Sequence, residues 1–222
     1  MLSRAWVIAL KDLRLSVGGQ GLVQAVLLGL LLIFLFSLSR PAGEPVPPQS
    51  AAAIFWLASA FGLVLVANDL FSLEEANGAR LGLLSAPVPP QSVWLGKALA
   101  GFCLLLLSQA VFLPASVVFL GQGLAGPGWV APVTLLAADL GLVALGALLG
   151  ALSQGQAARE SLLSVILFPL LLPVLLGGIK LFAQAFAGQE PETAWLGILG
   201  AFDALFAGAG LILFPFVYTG EE

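Results

Sequence analysis

Apolar and polar positions along the chain fall into long runs that are apolar on every side. Six stretches reach or approach the roughly 20 residues needed to cross a hydrocarbon layer of about 30 Å. They run from about Leu22 to Leu38, Ala51 to Phe71, Val93 to Leu120, Trp129 to Leu152, Leu162 to Phe182 and Ala194 to Tyr218. None alternates with a period of two, as a barrel strand would. A helix satisfies its backbone groups within its own segment, so the pattern predicts six transmembrane helices. Breakers separate them: Arg40-Pro-Ala-Gly-Glu-Pro-Val-Pro-Pro48, Gly121-Gln-Gly-Leu-Ala-Gly-Pro-Gly128 and Gly188-Gln-Glu-Pro-Glu192. Residues 1–18 differ. Leu2, Trp6, Leu10, Leu13 and Val17 recur at helical spacing with Lys11 and Arg14 off the stripe, which predicts an amphipathic helix lying on the membrane surface. The expectation is an all-α membrane protein, one domain over residues 1–222: a six-helix transmembrane bundle with an N-terminal interfacial helix.

Composition sharpens the picture. Of 222 residues, 60% are hydrophobic and 9% charged, where a soluble domain carries about 25% charged residues. Water is the wrong solvent for most of this chain. The absence of histidine excludes a Ser-His-Asp triad and His-ligated zinc or haem within the chain. The single cysteine, Cys103, lies in an apolar run and reads as a buried, inert thiol. No metal site or catalytic group is expected. A net charge of −4 without a basic stripe argues against nucleic acid. Trp56, Trp94, Trp129 and Trp195 fall near span starts, where an indole suits the headgroup level.

Orientation follows from the cations. With six spans, Arg4, Lys11, Arg14, Arg80, Lys97 and Arg159 share one side, and Arg40 and Lys180 the other. The positive-inside rule then puts both termini in the cytoplasm. A cleaved signal peptide ending near Ser37-Leu-Ser39 is the competing reading; the amphipathic stretch ahead of the apolar run favours a retained span.

The most informative connection joins spans two and three. Glu74 and Glu75 suit the positive end of a helix dipole and are expected to open a short helix. Leu81 and Leu84 give it an apolar side, and Pro87 with Pro89 and Pro90 stops it. An ordinary solvated loop is the alternative. Asp139 and Asp203 lie well inside spans, Asp69 and Lys180 nearer their ends. Intramembrane carboxylates either line a polar path or make an interhelical hydrogen bond. Pro169 and Pro173, one turn apart, mark a hinge or a packing bend. Arg159 and Glu160 open that span as a solvated pair or a partner contact. Gly146-Ala-Leu-Leu-Gly150 permits close helix approach, within the protein or with a second copy.

Four features resemble the permeases of ABC-2-type exporters and, within them, the haem exporter protein B family, CcmB, of cytochrome c maturation. They are Leu10-Lys-Asp-Leu-Arg14; Phe55-Trp56 with Leu70-Phe71; the loop Glu75-x-x-Gly78, Leu81-x-x-Leu84-x-x-Pro87, then Lys97; and Arg159-Glu-Ser-Leu-Leu-Ser-Val-Ile-Leu-Phe-Pro-Leu-Leu-Leu-Pro-Val174. The resemblance covers essentially the whole chain; its acidic end, Glu221-Glu222, departs from it. It implies a multi-pass permease of the bacterial inner membrane, not itself an enzyme, in a complex with an ABC ATPase and other maturation subunits. A second copy is a further candidate partner. The connection would be a cytoplasmic coupling helix docking on the ATPase through Glu74, Glu75, Gly78, Arg80, Leu81, Leu84 and Pro87. ATP would be hydrolysed by the partner, since no G-x-x-x-x-G-K-[ST] sequence is present. Haem would be substrate, not a bound cofactor. A permease for a lipid or drug and a non-transporting scaffold are the rival readings.

Overall fold

A computed structural model describes residues 1–39, 41, 44, 46–76, 78, 82, 83, 85–152 and 157–219, with the backbone alone at 73, 75, 76, 157–164 and 219. Seven long helices account for nearly all of them: α1 (Leu2–Ser16), α2 (Gln20–Leu38), α3 (Pro48–Ala76), α4 (Pro90–Leu120), α5 (Val130–Leu152), α6 (Ala157–Ala187) and α7 (Thr193–Thr219). No strand occurs among the described residues. Helices α2 to α7 each contain a stretch long and apolar enough to cross a bilayer, so the chain is a multi-pass helical membrane protein.

Three of the rods outrun the predicted spans. Helices α3, α4 and α6 have 29, 31 and 31 residues, roughly 43 to 47 Å at 1.5 Å per residue against a core of about 30 Å. Their ends therefore leave the hydrocarbon as helix, and polar residues beyond an apolar run, such as Glu74, are carried on rigid backbone. Helix α4 continues through Pro114, α6 through Pro169 and Pro173, and α7 through Pro215.

Packing places α3 and α5 innermost, while α2 and α7 keep most of their surface outward. Helix α5 contacts α3, α4, α6 and α7. The Gly146-x-x-x-Gly150 face seats α5 on α3. A Cβ at Gly150 would lie 2.5 Å from Phe71 Cε2, and one at Gly146 would lie 3.1 Å from Leu63 Cδ1. That face is thus used inside the protein. A second seam is aromatic: Phe55 stacks on Phe182 at 4.7 Å between ring centres, with Trp56 and Phe186 edge-on to Phe182.

Two tryptophans correct the expectation. Trp56 is fully buried and Trp94 nearly so, with its Nε1 donating to the Ala144 carbonyl at 3.3 Å. Helix α3 begins at Pro48, which puts Trp56 roughly 12 Å along the rod, past the headgroup level. Trp129 is exposed at the start of α5 and Trp195 partly exposed at the start of α7, as interfacial rings would be.

Candidate functional site

Helix α1 has two working faces. Leu2, Trp6 and Val17 of the predicted apolar stripe face outward, where a membrane surface would take them. The inward face is Ala5, Ile8, Ala9, Asp12 and Ser16, at the three- and four-residue spacing of one helix side. It rests on the start of α4 because position 96 is glycine. A Cβ there would fall 2.8 Å from Ile8 Cβ and 2.9 Å from the Ala5 carbonyl oxygen. This approach brings Asp12 to Lys97, the residue after that glycine.

Lys97 is the centre of the site. Its side chain is wholly buried, yet three oxygens lie around the ammonium, matching its three N–H groups. It donates to the Leu70 carbonyl at 2.6 Å. It forms ion pairs with Glu74 Oε1 at 2.8 Å and Asp12 Oδ2 at 3.2 Å. The Phe71 ring lies 5.0 Å from the nitrogen, within cation–π range. Lys11 closes the group, 3.0 Å from both Glu74 Oε1 and Asp12 Oδ1. Two cations and two carboxylates cancel, the condition under which buried charge persists. Lys11 is the half-open member. Burial works against its charge, but Asp12 and Glu74 outweigh burial and hold the ammonium above its ordinary value of 10.5. We call this arrangement the clasp; it joins α1, the end of α3 and the start of α4.

The clasp corrects one expectation. Glu74 and Glu75 do not open a new helix; both lie in the last turn of α3. A carboxylate there meets the negative end of the helix dipole, an unfavourable placement that Lys97 and Lys11 offset. Two residues past α3, Gly78 has φ +63°, the left-handed conformation that ends many helices and suits glycine. Gly82, Leu83 and Ser85 are helical, and Ala86 N–H donates to the Gly82 carbonyl at 3.1 Å. The Arg4 guanidinium donates to the Pro87 carbonyl, fastening the far end of the connection to α1. Arg80, Leu81 and Leu84 lie outside the described residues, as does the Glu75 side chain.

The remaining candidates lie elsewhere. Asp139, fully buried on α5, accepts from Gln109 Nε2 of α4 at 2.8 Å through Oδ1. Gln109 Nε2 also lies 3.3 Å from Ser59 Oγ of α3, so one amide ties three helices. Asp203 on α7 is partly exposed against the α5 backbone; a Cβ at Gly141 would meet its Oδ1 at 2.5 Å. The Pro169 side chain faces outward and that of Pro173 is partly buried. Arg159 and Glu160 belong to the first turn of α6, with side chains outside the described residues. Among the described residues no group of three Cys, Asp or Glu converges as a metal site. Asp12 and Lys97 stand in the stretches that carry the family resemblance, but nothing in the sequence joins them to Glu74 as one site. The nearest signal is Lys97, a cation inside the third predicted span, which needs an anion near it.

Comparison with known proteins agrees over nearly the whole chain. The family model described as CcmB protein matches residues 3–219. Heme exporter protein B of Rhodobacter capsulatus is 31% identical over 210 residues, covering 91% of this chain and 95% of that protein. Heme exporter protein B of Paracoccus denitrificans is 30% identical over 212 residues, 93% of each. A match that begins in α1, ends in the last turn of α7 and takes in the clasp between them leaves no part of the bundle unaccounted for: the chain belongs to the CcmB family.

Proposed function

We propose that this chain is the membrane permease subunit of an ABC system for haem export or haem-chaperone release in cytochrome c biogenesis. The two relatives named heme exporter protein B, each covered over more than nine-tenths of its length, support that reading. The cation distribution supports cytoplasmic termini in a bacterial inner membrane. A separate ATPase subunit would then dock on residues 74–87, hydrolyse ATP and drive this chain by its own closure. Haem is the substrate of the system. With no histidine here, its axial ligands are assigned to other maturation subunits.

One observation carries the mechanical half of this proposal: Glu74, at the entry to the docking segment, is bound to Lys97 beside Asp12 and Lys11. The far end of the segment is held to Arg4 through Pro87. A displacement of Glu74 or of Pro87 therefore reaches α1, α3 and α4 together, as parts of one body would move. The test is reconstitution with a candidate ABC ATPase subunit from the same organism. ATPase stimulation is expected, and Gly78→Asp or Leu81→Asp should abolish stimulation and cytochrome c maturation while assembly persists. Indifference of both activities to these changes would defeat the coupling role. Labelling of residues 74–87 from the external face would defeat the orientation.

A further inference from the structure

At the end of the bundle away from the termini, a cleft of about 330 Å³ opens between the start of α3, the end of α6 and the start of α7. Gln49, Lys180, Gln184, Gln189, Glu192 and Trp195 supply its polar and aromatic lining. The volume is at the lower end of the range of small-molecule sites.

Its walls are fixed before any ligand arrives. Gln184 Oε1 accepts from the Glu192 backbone N–H at 3.1 Å, and Trp195 Nε1 donates to Glu192 Oε2 at 3.1 Å. Gln189 N–H donates to the Gln184 carbonyl at 2.9 Å across the turn that leaves α6. Below, Gly178 and Phe182 lock α6 onto Trp56 and Phe55 of α3. Lys180 lies between those two contacts, about 10 Å from the end of its helix. Its ammonium has no ion-pair or hydrogen-bond partner among the described residues, and Glu192 is not within ion-pair reach of it. Lys180 is partly exposed, so its charge faces the opening of the cleft and is available to an anion there. The cleft holds that cation, a carboxylate apart from it and three amides able to donate to oxygen.

We infer that this cleft is a binding site for a phospholipid headgroup bearing both phosphate and amine, with the phosphate on Lys180 and the amine toward Glu192. The acyl chains would leave along the outward apolar side of α7. The amides donate to the phosphate oxygens. This inference does not depend on the export reading, because it concerns the isolated chain without its ATPase.

The test is native mass spectrometry of the chain extracted from nanodiscs of phosphatidylethanolamine, phosphatidylglycerol or phosphatidylcholine. Retention of phosphatidylethanolamine above the other two is expected. Lys180→Gln should lower its retention about tenfold, the scale of one charge-assisted hydrogen bond, and Lys180→Arg should restore it. Glu192→Gln should erase the preference over phosphatidylglycerol and leave phosphate binding in place. Unchanged thermal unfolding of all three variants keeps the comparison one of binding. Equal retention by wild type and Lys180→Gln would overturn the site. So would Lys180-dependent retention of a porphyrin dicarboxylate with none of phosphatidylethanolamine, which would assign the acid group to a cargo.

Discussion

Lys97 and Lys180 are both lysines carried inside spanning helices, near opposite ends of the bundle. Around Lys97, α1 folds back and three oxygens close over the ammonium, so the charge is consumed in joining helices. Around Lys180 the Glu192 backbone N–H donates to the Gln184 amide oxygen and the Trp195 indole donates to the Glu192 carboxylate, which leaves the cation facing a cleft. The difference lies in what each helix end meets. Gly96 lets a third element approach within van der Waals contact, whereas among the described residues the cleft beside Lys180 stays open. A saturated charge cluster transmits position, since moving one member drags the others. An unsaturated one binds what arrives.

The hardest way to break this comparison is to remove the cation from the closed end. Lys97→Met leaves Asp12 and Glu74 buried without their shared partner, and a loss of about 3 to 5 kcal/mol is expected, read as a lowered thermal unfolding midpoint in micelles. Combining it with Asp12→Asn and Glu74→Gln should recover much of that loss. Lys180→Met, by contrast, should leave unfolding unchanged. Equal losses at the two lysines would show that the closed and open ends do not differ in kind.

A smaller effect is expected from prising α1 off. Gly96→Val puts branched carbon where Ile8 and the Ala5 carbonyl already are, an overpacking cost of about 1 to 3 kcal/mol. The clasp should open as α1 lifts. Disulfide trapping between cysteines introduced at Ser16 and on the facing surface of α4 would lose efficiency, and any ATPase stimulation would fall with it. Retained trapping would mean that the glycine is not what seats α1.

Much of this was legible in the sequence, and the limits are physical. Six spans, the interfacial helix and the glycine seam on α5 follow from local rules, hydropathy length and helical period. Hydropathy ends two spans at Phe71 and Phe182, where polar residues begin, whereas the helices run on to Ala76 and Ala187. That difference moves Glu74 from the start of one helix to the end of another. Trp56, near the start of the predicted span, sits deeper because α3 begins at Pro48 and the ring packs on Phe182 of α6. Asp12 was not legible, since on α1 it sits among charged neighbours and only the approach of α4 at Gly96 turns it inward. The Leu81 and Leu84 face of the connection lies outside the described residues.

In the membrane interior the comparison can be sharpened with groups of neutral donor chemistry. Gln109→Leu removes the donor that Asp139 accepts from and that also reaches Ser59, for a cost of about 0.6 to 2 kcal/mol in the bilayer. Asp139→Asn keeps an acceptor toward Gln109 and should cost less than Gln109→Leu in the same unfolding assay. Loss of cytochrome c maturation in Asp139→Asn at undiminished stability would move Asp139 from a helix tie to a polar path.

The smallest effect expected belongs to Lys11, and it carries a sign. Its side chain is 39% exposed, so solvent screening limits its worth to within about 1 kcal/mol. Asp12 and Glu74 raise the folded-state value above 10.5. Below pH 10.5 the lysine is protonated folded and unfolded alike, and its stabilisation is complete. As pH climbs through the raised folded value the proton leaves and the stabilisation is lost. Wild type and Lys11→Gln should thus differ by a constant small margin in unfolding midpoint from pH 7 to about pH 10 and converge above it. High salt should shrink the same margin, because a half-open ion pair is screened. It should leave the deficit of Lys97→Met in place, since ions do not reach a wholly buried ammonium. A margin that persists at alkaline pH would mean that Lys11 stabilises through its methylene stem rather than its charge, and the clasp would then be a three-membered group of Asp12, Glu74 and Lys97.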